Sequence, residues 1–120
     1  MTISLTQALK LQSLGVDKYA EKSWWSNPAQ TDEPFLDSCN ADVDACYLMH
    51  IAQAYNAEEL IKLMRSKEHY PIDIYSHGDG FMFHHNDIDD IYGDSLTDCL
   101  ANELIYMIDN GIITAEEVNK

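Results

Sequence analysis

Lysine and arginine are almost absent from the second half of this 120-residue chain. Between Lys67 and Lys120 there are none, whereas the same stretch carries twelve Asp and Glu residues. Over the whole chain, 21 acidic residues stand against 7 basic ones, a formal net charge of −14. Such a surface repels nucleic acid and anionic lipid and attracts basic partners. Direct nucleic-acid binding, which depends on Lys and Arg at the phosphates, is therefore disfavoured.

Disulfide scaffolds and membrane spans are also disfavoured. The three cysteines, Cys39, Cys46 and Cys99, are an odd number without a CxxC pair, which suits a reducing compartment. No apolar run approaches the roughly 20 residues that a membrane helix needs. Residues 1–4 lack the basic start and apolar run of a signal peptide. We expect a cytoplasmic protein, which means the host cytoplasm if a phage encodes it.

The chain lacks the familiar catalytic patterns as well. It contains no GxSxG, P-loop or GxGxxG motif. Ser76, His77 and Asp79 are too close in sequence for a triad, whose members normally come from distant segments. The cysteines lie among apolar neighbours and are interpreted as core thiols. We predict no catalytic residue, no cofactor and no enzymatic activity.

Helix-start signals are what the sequence does contain. A capping box pairs an N-cap Ser, Thr or Asn with Glu or Gln three residues later. This spacing occurs at Ser4/Gln7, Asn56/Glu59 and Thr114/Glu117, and Ser95 precedes a further helical pattern. The pattern predicts helices over 4–14, 57–65 and 96–110 and a short helix at the C-terminal end. Gly15 and Gly111 stand where left-handed C-terminal residues are wanted.

Strand signals lie between these helices. We expect extended segments over 16–25 and 46–53, and a hairpin formed by 72–76 and 81–85 around the His-Gly-Asp-Gly turn. Residues 26–44 are interpreted as a long connection or an irregular strand around Phe35, and 87–94 as an acidic loop. The predicted order is α-β-β-α-β-β-α plus a short helix. It implies a single α+β domain over 1–120 with a mostly antiparallel sheet of about four strands.

A histidine-rich stretch raises one alternative function. His77, His84 and His85 lie near several aspartates, and imidazole with carboxylate suits zinc, manganese or iron. Adjacent His84 and His85 would point to opposite faces of a strand, so they do not easily share one ion. No metal site is predicted from this stretch. A metal-binding module or metal-dependent enzyme remains the alternative hypothesis.

The acidic residues supply the main site hypothesis. The densest acidic run lies at 87–98, and a second cluster lies at 32–44. An exposed Trp25 would serve as an interface anchor beside acids, and the alternative is that both tryptophans pack under the connection at 26–44. On a strand, one of Trp24 and Trp25 would face inward and the other outward. The residues predicted to bind a basic protein partner are Asp87, Asp89, Asp90, Asp94, Asp98 and Trp25.

The layout resembles small acidic proteins encoded by tailed phages and prophages. The resemblance lies in an N-terminal helix ending at Leu14-Gly15, an aromatic extended segment, the stretches 54–61 and 96–105, and the hairpin between them. It implies a mobile-element context, where such proteins inhibit host nucleases, restriction systems or CRISPR complexes. We expect a non-enzymatic inhibitor of a basic, nucleic-acid-handling protein, with DNA mimicry and another mode of binding both left open. An immunity protein for a basic toxin is a further alternative.

Overall fold

The computed structural model describes residues 1–27, 31–38, 49–65, 73–83 and 90–120. Within these ranges the chain forms four helices and six strands, an α+β fold as predicted. The elements, in order, are α1 Leu5–Ser13, β1 Lys22–Asn27, β2 Thr31–Ser38, β3 Met49–Ala54, α2 Ala57–Met64, β4 Ile74–His77, β5 Gly80–Phe83, β6 Ile91–Gly93, α3 Leu96–Asp109 and α4 Ala115–Val118.

The strands form two antiparallel three-stranded sheets rather than the single four-stranded sheet expected. One sheet has the order β2-β1-β3 and the other β4-β5-β6. The additional strands are β2, which includes Phe35, and β6, which lies inside the predicted acidic loop. β2 is largely polar in sequence and β6 is only three residues long, so the extended conformation of both depends on pairing with a neighbour rather than on local pattern.

The helices begin where the capping patterns predict. Ser4, Asn56 and Thr114 each accept a hydrogen bond from the backbone N–H three residues on, and the reciprocal side-chain bond is also present. Ser95 accepts the N–H of Asp98 at the start of α3. Gly15 and Gly111 have φ of 94° and 72°, the left-handed conformation expected after a helix.

One continuous core joins the helices to both sheets. α3 packs on β5 and β6 and also contacts α1 and α2, whereas α1 packs on β3. The largest fully buried side chains include Tyr55, which follows β3, and Leu11, Leu60, Met64, Phe83, Leu100, Leu104 and Met107 from α1, α2, β5 and α3. Because α3 covers the inner face of the β4-β5-β6 sheet, the other face of that sheet points away from the core.

The expected exposure of Trp25 is wrong. Its ring is 6% exposed, stacks edge-on against His50 with the ring centroids 5.1 Å apart, and donates its indole N–H to the Ser38 carbonyl. Trp24 is half-buried against the core. The pairing of β1 with β3 shifts register between the two tryptophans. Burial nevertheless alternates along β1, in which Ser23 and Trp25 are buried and Trp24 is half-buried. The prediction failed because the side of the sheet that Trp25 occupies is itself covered, in part by His50.

Candidate functional site: an acidic aromatic sheet face

The outward face of the β4-β5-β6 sheet carries a row of large side chains. Tyr75, Met82 and Tyr92 are direct cross-strand partners in the two ladders, so they lie side by side across the sheet. Tyr75 and Tyr92 are 39% and 44% exposed. Alternate residues of the same strands, such as Phe83, turn the other way into the core.

Carboxylates border this row of side chains. The Tyr75 hydroxyl donates to Asp90 Oδ2 at 3.0 Å, and Met82 Sδ lies 3.7 Å from the same hydroxyl oxygen. The Asp94 side chain lies close enough to the Tyr92 phenol to raise its pKa. The bond to Asp90 orients the Tyr75 ring, so this part of the face presents a defined arrangement of phenol and carboxylate.

The electrostatics of the two phenols show how close the acids are. The hydrogen bond to Asp90 is the largest cause that raises the pKa of Tyr75, followed by burial and the charges of Asp90 and Asp73. Burial is the largest cause that raises the pKa of Tyr92, followed by the hydrogen bond to Asp94 and the charges of Asp94 and Asp79. Four carboxylates therefore act on two neighbouring rings.

We call this surface the acidic aromatic face. It consists of Tyr75, His77, Met82 and Tyr92 together with the carboxylates of Asp73, Asp79, Asp90 and Asp94. His77 belongs to it because its ring meets that of Tyr75 edge-on, with centroids 6.3 Å apart. Among the described residues, Asp73, Asp79 and Asp94 form no ion pair. The ion pairs Lys10–Asp109 and Lys62–Glu58 involve other parts of the surface.

Glycine makes room for one of the rings. A Cβ placed on Gly80 would lie 2.5 Å from the Tyr92 hydroxyl oxygen and 2.5 Å from the Gly93 carbonyl oxygen. The Tyr92 phenol therefore extends across β5 directly over Gly80. Position 80 belongs to the predicted hairpin turn, but the close approach of Tyr92 depends on the pairing of β5 with β6.

The predicted acidic site is brought together in part. Asp90 and Asp94 belong to the acidic aromatic face, and Asp98 lies in a groove that continues from it beside Tyr92. Asp87 and Asp89 lie outside the described residues. Sequence reasoning missed Asp73, Asp79, Tyr75, Met82 and Tyr92. In the first strand of the predicted hairpin, residues 73, 75 and 77 point to the same side of the sheet. This alternation was a signal from which Asp73 and Tyr75 could have been found.

The metal hypothesis gains no geometric support in the described part of the chain. No group of three or more His, Cys, Asp or Glu side chains there is arranged to hold an ion. His77 is exposed on the acidic aromatic face. His84 and His85 lie outside the described residues.

A groove of about 700 Å³ near the other sheet contains a histidine beside a serine. His50 Nε2 is 3.0 Å from Ser23 Oγ, and Asp17, Lys18, Tyr19, Gln53 and Asn119 also line the groove. Ser23 is 0% exposed. A nucleophile must reach its substrate, so this buried hydroxyl is a structural partner of His50 rather than an attacking group.

Comparison with protein-family models, characterised proteins and solved structures gives no significant match for this chain. The resemblance to phage-encoded proteins therefore stays a prediction. Within the described residues, no helix has the length and apolar character needed to cross a membrane. The geometry of the acidic aromatic face is accordingly the main structural basis for a functional proposal.

Proposed function

We propose that this chain is a non-enzymatic binding protein that masks a basic, nucleic-acid-handling surface of another protein. The context is that of a phage or other mobile element, and the target is a host nuclease, restriction or CRISPR component. The acidic aromatic face stands in for nucleic acid by presenting carboxylates where the target expects phosphates. This is the same proposal that the charge distribution motivates, now attached to a defined surface.

One observation carries the proposal. Exposed tyrosines, a methionine and four carboxylates occupy one sheet face, in a sequence stretch that has no Lys or Arg. Tyrosine and methionine are enriched at protein interfaces, where tyrosine supplies contact area at low entropic cost. Carboxylates around them favour a cationic partner and speed its association.

A hydrogen bond within the face adds pre-organisation. Because Asp90 already holds the Tyr75 hydroxyl, less side-chain freedom is lost when a partner docks. A carboxylate has about four acceptor sites, so Asp90 can accept a further hydrogen bond from a partner while it holds the phenol. A partner therefore meets a surface whose charges and rings are already in place.

The test is inhibition of a captured target. Untagged protein coupled to resin is incubated with bacterial lysate, and retained proteins are identified, purified and assayed for nucleic-acid binding. We expect the chain to compete with DNA or RNA for the retained protein, with affinity falling as salt rises. The Asp90→Asn/Asp94→Asn variant should lose about tenfold in affinity, the scale of two exposed charge contacts.

The matched control is Glu58→Gln/Glu116→Gln, which removes two exposed acids from α2 and α4 without touching the face. It should inhibit like the unmodified chain. Equal losses in both double variants would show that net charge alone matters and would contradict the assignment to this face. Retention of a basic toxin with no nucleic-acid function would instead support the immunity-protein alternative.

A further inference from the structure

A groove continues from the acidic aromatic face toward the N-terminal ends of α1 and α3. Its volume is about 270 Å³, and the residues lining it are Ser4, Thr6, Gln7, Tyr92, Gly93, Asp94, Asp98 and Asn102. Tyr92 and Asp94 belong to both surfaces. A side chain that leaves the face beside Tyr92 would therefore enter this groove.

Side-chain amides hold the groove in shape. Gln7 Nε2 donates to Asn102 Oδ1 at 3.0 Å and to the Asp98 carbonyl at 3.2 Å. Asn102 Nδ2 in turn donates to the Tyr92 carbonyl at 2.9 Å. This network ties α1, β6 and α3 together, so the groove is a fixed feature of the packing between these three elements.

The charge of the groove favours a cation. Each helix N-terminus contributes a partial positive charge of roughly half a unit, which alone would favour an anion. Asp94 and Asp98 both line the groove, so two full negative charges outweigh two partial positive ones, and we expect a net negative potential. Since Asp94 is exposed and Asp98 half-buried, both are accessible to an incoming side chain.

The chemistry favours arginine over lysine. The exposed Tyr92 ring lies over Gly80 and lines the groove together with Asp94. A planar guanidinium can stack on such a ring while it donates two hydrogen bonds to a neighbouring carboxylate. A lysine ammonium is a strongly hydrated point charge that gains less from an aromatic surface. Polar side chains of Ser4, Thr6 and Asn102 offer further acceptors for the five guanidinium donors.

We propose that this groove docks an arginine side chain of the basic partner, with the guanidinium stacked on Tyr92 and hydrogen-bonded to Asp94 and Asp98. The inference rests on the proposed function and specifies the chemistry of the contact. A nucleic-acid-handling target is rich in such arginines, because a guanidinium also binds phosphate through two parallel hydrogen bonds.

Short peptides of matched charge test the inference. Peptides with three arginines, three lysines or three citrullines in a glycine background are titrated into ¹⁵N-labelled protein at low salt. We expect the arginine peptide to shift the amide signals of Tyr92, Asp94 and Asp98 and to bind at least about fivefold more tightly than the lysine peptide. The neutral citrulline peptide should not bind.

Variants separate the two parts of the contact. Tyr92→Leu should reduce arginine binding to the lysine level, whereas Tyr92→Phe should keep the preference because it keeps the ring. Asp94→Asn/Asp98→Asn should weaken both peptides, and Glu58→Gln/Glu116→Gln should weaken neither. The ¹⁵N spectrum of each variant reports whether the fold is retained.

The outcomes distinguish this inference from the proposed function. Equal binding of the arginine and lysine peptides would overturn the arginine assignment and leave a cationic partner in place. Shifts of the same amides by inorganic phosphate would identify an anion site and overturn the inference. Absence of peptide binding while the captured target is still inhibited would overturn the groove as a contact, whereas loss of target inhibition overturns the function itself.

Discussion

At the residue scale, Cys99 shows how burial changes side-chain chemistry in this protein. The residue is fully buried in α3, and its Sγ lies 3.6 Å from the Ile91 carbonyl oxygen. Burial and the charge of Glu103 raise the pKa of Cys99 to about 11 from its ordinary value of 9.0. The thiol therefore stays protonated and unreactive in the folded protein well above neutral pH.

This shift predicts a specific loss of stability in alkali. The folded pKa exceeds the unfolded one, so the contribution is complete below about pH 9 and is lost as pH rises toward 11. Relative to Cys99→Ala, the unmodified chain should lose about 2 kcal/mol of unfolding free energy between pH 8 and pH 10.5. Urea unfolding under reducing conditions measures it, and other titrating groups cancel in the comparison. Parallel pH profiles for the two proteins would contradict it.

At the scale of elements, the contact between β6 and α3 depends on a glycine. A Cβ on Gly93 would meet the backbone of Asp98 and Cys99, including Cys99 Cα at 2.5 Å. Backbone atoms in the first turn of a capped helix cannot move aside without disturbing the helix. This close approach holds β6 against α3 and so positions Tyr92 and Asp94 for the acidic aromatic face.

Gly93→Ala should therefore destabilise the protein by about 3 kcal/mol, the upper range for overpacking in a core. It should also weaken binding of the arginine peptide, because Tyr92 and Asp94 would shift with β6.

Gly78→Ala is the matched control: its φ of 59° is strained for alanine, but a Cβ there meets nothing within 4 Å. It should cost only about 1 kcal/mol. Denaturant unfolding of the two variants decides, and equal losses would refute the steric explanation.

The elements also show which parts of the fold a sequence determines locally. The capping boxes at Ser4, Asn56 and Thr114 use residues three positions apart, so the sequence predicts these helix starts. β6 is three residues long and lies within an acidic run, and pairing with β5 makes it a strand. Trp25 was mispredicted for a similar reason, since the residues that cover it, such as His50 of β3, come from elsewhere in the chain.

At the scale of the whole molecule, charge placement could be predicted more readily than site geometry. The shortage of cations after Lys67 is visible in the sequence, and of the acids it draws attention to, Asp90 and Asp94 lie beside the same sheet. The tyrosines between them could not be predicted from charge. Tyr75 and Tyr92 become neighbours only because β4 and β6 pair with opposite edges of β5.

The net charge of −14 predicts opposite effects of salt on folding and on binding. Repulsion among like charges destabilises a compact state, and added salt screens it. Raising NaCl from about 20 mM to 500 mM, which shortens the screening length from roughly 20 Å to a few ångströms, should therefore raise the melting temperature. About 1 kcal/mol of relief corresponds to roughly 4 °C for a domain of this size.

The same increase in salt should weaken binding of the captured target, which separates screening of the interface from unfolding. Thermal unfolding followed by circular dichroism, run beside the binding assay, measures both. A melting temperature that falls with salt would mean that attractive ion pairs outweigh repulsion, and the picture of uncompensated carboxylates would then fail at its physical basis.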